Sequence, residues 1–187
     1  MTISERLRQN RFTLAMAALL LGYVAVTQFG LFQGTHPLTG QPAPVFATED
    51  LDGEPIDLAA HAGKDVVVLD FWSTSCPPCR KGLPMVQDIA GEFKGKPLAV
   101  YAISIMDEPG RVRQFLGSAG VTLPVAIDGF GDLADLYGVR GIPHTVVIGK
   151  DGVVRSVHVG LGGFERWLRG EVTAALGEAG VPPAEEA

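Results

Sequence analysis

The first feature in the pattern of apolar and polar positions is Phe12 to Phe32, FTLAMAALLLGYVAVTQFGLF, which carries no charge. At about 20 residues it is long enough to cross a bilayer as one helix. Gln33 to Pro44, QGTHPLTGQPAP, is polar, uncharged and rich in Gly and Pro, the composition of a linker, with His36 reading as solvated. From Val45 the pattern turns to short apolar runs. Asp50 to Leu58 has Asp52-Gly53 between β-compatible residues, a hairpin signal. Ala59 to Asp65 reads as a surface connection carrying His61. Val66 to Phe71 is apolar on both faces apart from Asp70, which suits the middle of a sheet covered by helices.

Helical spacing follows. Cys79, Leu83, Val86, Ala90 and Phe93 define a stripe on a helix from about Cys76 to Phe93, which Pro84 should kink. Leu98 to Ile105 is the next strand. Val112, Phe115, Leu116 and Ala119 predict a short helix ended by Gly120, and Leu123 to Ile127 a further strand. After a short helix at Asp132 to Tyr137, His144 to Ile148 and Val153 to Val159 form a hairpin across Lys150-Asp151-Gly152. Phe164, Trp167, Leu168, Val172 and Ala175 share one face of a last helix, Phe164 to Leu176.

The 187 residues therefore divide into an N-terminus (1–11), an anchor (12–32), a linker (33–44), one folded domain (45–177) and a flexible Pro- and Glu-rich tail (178–187). Arg6, Arg8 and Arg11 against the single acid Glu5 place the N-terminus in the cytoplasm and the domain outside it. A cleaved signal peptide, with Ala25 and Thr27 near the cleavage region, is the competing reading; it also exports the domain. Net charge is −6 with no basic patch, which argues against nucleic-acid binding.

Both cysteines stand in one motif, Cys76-Pro77-Pro78-Cys79, where the central strand runs into the helix. Unpaired N–H groups and the dipole at a helix N-terminus favour a thiolate at Cys76. The prolines are tolerated there because first-turn N–H groups have no intrahelical partner. Cys79 lies one turn further on, close enough to close a small disulfide. A purely structural bridge over so short a loop would stabilise little. Zinc needs four ligands, and His36, His61, His144 and His158 offer no H-x₃₋₅-H pair. The reading is a redox-active dithiol, with no metal and no cofactor. Asp70, the only charge in its strand, should have a raised pKa through desolvation and serve as proton acceptor for Cys79.

DFWSTSCPPCRKGLP, residues 70–84, resembles the active-site segment of the thioredoxin superfamily, with Trp72 four residues before the first Cys and Pro84 after the second. GVRGIPHTVVIGKDG, residues 138–152, resembles the cis-proline loop of the same family. The resemblance spans roughly Gln41 to Leu176 and is strongest to the membrane-anchored TlpA/ResA-like thiol-disulfide oxidoreductases. It implies an α/β thioredoxin-like fold: a central mixed β-sheet flanked by helices, preceded by one transmembrane helix. The helix and strand at 112–127 are then a βα-type insertion. Pro143 would be the cis-proline facing the dithiol, with Ile142 and Trp72 contributing to the substrate surface. The position of Asp70 matches the buried acid of thioredoxins proper.

Two positions depart from the branch, which usually has a neutral residue at the position of Asp70 and often a Glu at that of Gly82. Ser75 also replaces an aromatic residue common in thioredoxins, and His144 is a further candidate to influence the thiolate. The implied role is reduction of disulfides in exported proteins, as in cytochrome c or copper-site assembly, with electrons from a transmembrane thiol carrier. The rivals are a Sco-like copper chaperone, whose C-x-x-x-C is one residue longer, and an oxidising DsbA-like role. A peroxiredoxin would place Pro and Thr before a single peroxidatic Cys, a pattern STSCPPC lacks.

Overall fold

A computed structural model describes residues 36–177 and, before them, Met16 and Leu20, both helical. The segments expected as N-terminus, anchor and tail otherwise lie outside the described residues. Among the described residues no helix is long and apolar enough to cross a membrane.

Five strands form the main sheet: β3 (Val66–Trp72), β4 (Leu98–Ile105), β5 (Val125–Asp128), β6 (His144–Ile148) and β7 (Val154–Val159), in the order β5-β4-β3-β6-β7. β3 pairs parallel with β4 and antiparallel with β6, so the sheet is mixed, as expected. Every residue of β3 is buried. Its period of two sorts the side chains. Val66 and Val68 join Val86, Ile89, Phe164, Leu168 and Val172 on one face, while Val67, Leu69 and Phe71 join Tyr137, Val146 and Ile148 on the other. The first face is covered by α1 (Pro77–Glu92) and α4 (Phe164–Leu176). The hairpin around Gly53 forms as β1 (Ala47–Glu49) and β2 (Pro55–Asp57), followed by a 3₁₀ turn at Leu58–His61.

α2 (Pro109–Ala119) links β4 to the parallel edge strand β5, the expected insertion. The helix starts earlier than its apolar spacing indicated, because Pro109 occupies a first-turn position where no N–H is needed. It ends on Gly120 at φ 65°, whose N–H reaches the Leu116 carbonyl. β5 starts at Val125 rather than Leu123, since Pro124 has no N–H to give a ladder. α3 (Asp132–Leu136) then leads towards β6. In α1 the helix passes through Pro84 as one element, and Ile89 rather than Ala90 completes the buried stripe.

The expected linker requires a correction. From His36 the chain belongs to the compact domain, which therefore begins before Val45. Gly40 N–H donates to Val154 O (2.8 Å), Val154 N–H to Gln41 O (2.9 Å) and Ala43 N–H to Gly152 O (2.8 Å). Leu38 and Ala43 pack on the core, and Tyr137 Oη donates to Pro44 O at 2.6 Å. Gly and Pro hid this segment from pattern reading, but a few N–H groups suffice to cover the open edge of β7.

Candidate active site

Cys76 is the N-cap of α1, with Pro77 and Pro78 in its first turn. Its Sγ accepts the Cys79 N–H at 3.2 Å, one of the donors a helix start leaves free. The two sulfurs form a disulfide, with Cα atoms 5.2 Å apart. Cys76 is half-buried whereas Cys79 is 1% exposed. Only Cys76 can meet a bulky partner, so the attacking and resolving roles follow from burial. The Ile142-Pro143 bond is cis, and Cys76 Sγ lies 3.7 Å from the Ile142 carbonyl oxygen. Gly160 N–H donates to Pro143 O at 2.8 Å and ties this loop to the end of β7. Pro143 and Ile142 therefore stand where they were expected, beside the dithiol.

Asp70 is 1% exposed and shares the strand face of Val68 and Trp72, which is the face covered by α1 and buried Cys79. Thr145, its antiparallel partner on β6, donates Oγ1–H to Asp70 Oδ1 at 2.6 Å. Burial pushes the Asp70 carboxyl up to about 7, against the smaller opposing effect of that hydrogen bond. A carboxyl that titrates near neutrality can take the proton of a buried thiol and return it.

The sequence matches the AhpC/TSA family over residues 39–157. It is 33% identical over 147 residues to the thiol-disulfide oxidoreductase ResA of Halalkalibacterium halodurans, covering 79% of this chain and 82% of the relative. ResA of Bacillus subtilis is 33% identical over 141 residues, covering 75% and 77%. Among solved structures, a protein described as thiol:disulfide interchange protein DsbE of Chlorobium tepidum superposes with TM-score 0.68 at 33% identity, covering 74% of this chain and 97% of that one. The chain belongs to the AhpC/TSA family. Within it, this protein is a thiol-disulfide oxidoreductase of the ResA/DsbE type, and a dithiol closed on itself is the arrangement that activity requires.

In this AhpC/TSA protein the loop before Cys76 is held by a residue that sequence reading passed over. Asp107, 8% exposed, accepts from Thr74 N–H (2.7 Å), Thr74 Oγ1–H (2.6 Å) and Ser104 Oγ–H (2.7 Å). Burial pushes its carboxyl up, but these bonds outweigh it and leave the pKa below the ordinary range, so Asp107 is ionised. Its only sequence signal was an acid just past an apolar strand. The sequence also gave no sign of the close approach at Gly82, where a Cβ would stand 2.9 Å from Leu161 Cδ2. A side chain at this position would require the half-buried Leu161 to turn its end aside.

Trp72 needs correction as a substrate-surface residue. It is fully buried, packed 5.2 Å from the Phe115 ring, because strand alternation points it under α1 and α2. His144 is buried on the opposite sheet face, edge-on to His36 at 5.2 Å and to Phe71 at 6.0 Å. Burial, then the electrostatic influence of the neighbouring His36 ring, lowers it to about 4, so it is neutral and turned away from Asp70. His36, expected in solvent, is half-buried by the same contact. His61 is bound to Asp65 and Tyr101 (both 2.8 Å), and His158 stacks on Trp167 at 4.7 Å. Among the described residues no three His, Cys, Asp or Glu side chains come together as a metal site.

Proposed function

We propose that this oxidoreductase works outside the cytoplasm, tethered by residues 12–32, and reduces disulfides in exported proteins. The observation that carries the reading is the pairing of a half-buried Cys76 with a buried Cys79, on the sheet face that also holds buried Asp70, without positive charge between the cysteines. The Cys76 thiolate attacks one sulfur of the client disulfide; that S–S bond breaks and the other client sulfur leaves as a thiolate. Asp70 takes the proton of Cys79, whose sulfur attacks Cys76 and releases the second client sulfur. Two electrons pass to the client, and the protein is left with the Cys76–Cys79 disulfide. A transmembrane thiol carrier would return the dithiol by the reverse exchange. Proteins of cytochrome c or copper-site assembly are the client class.

The direction rests on charge. Strong oxidants stabilise their thiolate form with positive neighbours. Here Pro77 and Pro78 supply none, ionised Asp107 is bonded two residues before Cys76, and Asp70 opposes a further negative charge. Arg80 and Lys81 are exposed and screened. The export reading rests on the three arginines before the apolar run.

A membrane-impermeant maleimide added to intact cells tests both parts together. One label per chain, on Cys76 and taken up without prior reduction, is expected. Labelling only by a permeant reagent would contradict the location, and labelling only after dithiothreitol would contradict the reducing role.

A further inference from the structure

The sheet edge that carries the dithiol also gathers exposed apolar side chains. β4 and β5 run parallel to β3, with Ser104 level with Trp72 and Asp128 level with Ile105, so their C-terminal ends emerge beside the active-site loop. Met106, directly after β4, is 74% exposed, and Phe130, two residues past β5, is 94% exposed. A Cβ built on Gly131 would stand 3.8 Å from Met106 Cε, so the thioether reaches across to the Phe130 turn. Large exposed apolar residues between 36 and 177 are Val45, Met106, Phe130, Leu136 and Val159, and three of these five lie on this edge. Single exposed apolar residues need no explanation; their gathering beside a reactive sulfur does.

Met106 is also the one described non-glycine residue at positive φ, 52°, where an L side chain is disfavoured. The residue after it is Asp107, bonded to Thr74 two positions before Cys76. The backbone that carries the exposed thioether is thus tied, through Asp107, to the loop that holds the nucleophile.

We propose that Met106 and Phe130 form a ledge that seats an apolar side chain of an extended client polypeptide while its disulfide is exchanged at Cys76. The proposal rests on the exchange activity and adds a preference among clients. Adjacent strands are about 4.8 Å apart, which sets Phe130 about 10 Å across the edge from β3. An extended chain advances about 3.4 Å per residue, so the side chain about three residues from the attacked client cysteine reaches Phe130. Met106 meets the residues between. Continuity with the dithiol favours a client over a second copy of this chain as the occupant.

The test uses pre-reduced protein in single turnover on two disulfide-bonded peptides that differ only in Leu or Ser three residues from the cysteine, with hydroxyethyl disulfide as control. Wild type should reduce the Leu peptide about tenfold faster. The Met106→Gly/Phe130→Ser variant should reduce both at the slower rate and hydroxyethyl disulfide at the wild-type rate. Met106→Gly alone should lose part of the preference without losing thermal stability, because glycine adopts this φ freely. A preference retained in the double variant would overturn the ledge, as would none in wild type. A wild-type dimer that the double variant dissociates would also overturn it, by making the ledge a self-interface. Wild-type protein inert towards hydroxyethyl disulfide would overturn the exchange activity itself.

Discussion

Asp70→Asn is expected to stabilise the protein at neutral and alkaline pH while slowing disulfide exchange. Folding raises this carboxyl from 3.8 to about 7, so between those values the native state binds more protons than the unfolded chain. Stability therefore falls as pH rises from about 4 to about 7 and levels off above, by a total on the order of 4 kcal/mol. Against a typical stability of about 5–15 kcal/mol, that is a large share. Asparagine has no charge to desolvate and keeps an oxygen for Thr145 Oγ1–H, so the variant should match wild type below pH 4 and exceed it at pH 8. Catalysis moves the other way. General-base assistance contributes about 10²–10⁴-fold, and only the ionised carboxyl supplies it, so the wild-type rate should rise through pH 7 and the Asn variant should lose that rise. Urea titrations and insulin reduction across pH 4–9 check both arms. A variant with the wild-type rate–pH profile would remove Asp70 from the mechanism.

The second large effect separates the cysteines. Cys79→Ser should abolish turnover and accumulate a mixed disulfide between Cys76 and its client, because the half-buried sulfur still attacks and nothing resolves it. Cys76→Ser should abolish turnover and trap nothing, since Cys79 is 1% exposed on the buried side of the first turn of α1. Non-reducing gels of protein isolated after acid quench distinguish the two. Trapping by Cys76→Ser would reverse the assignment.

The dithiol and Asp70 were legible in the sequence because each is a local anomaly: two cysteines at a strand–helix junction, and one charge inside an apolar strand. Strand β3 and helix α4 were legible for the same reason, since burial on one or both faces writes a period into the chain. What escaped depends on contacts far apart in sequence. Asp107 reaches Thr74 across 33 positions, Thr145 reaches Asp70 across 75, and Leu161 approaches Gly82 from beyond the end of β7. Trp72 was misread because its place beside the motif suggested a surface role, whereas strand parity turns it inward. Residues 36–44 were misread because Gly and Pro carry no periodicity, although their carbonyls and few N–H groups complete the edge of β7.

The central claim, that this dithiol gives electrons to its clients, is tested most directly by its reduction potential, measured by equilibrating the protein with glutathione buffers at pH 7. The prolines between the cysteines add no positive charge to stabilise the thiolate form, and ionised Asp107 bonded to the loop before Cys76 and Asp70 on the same sheet face disfavour it. A value towards thioredoxin's, about −270 mV, is therefore expected. A value near that of a strong oxidant, about −120 mV, would contradict the account.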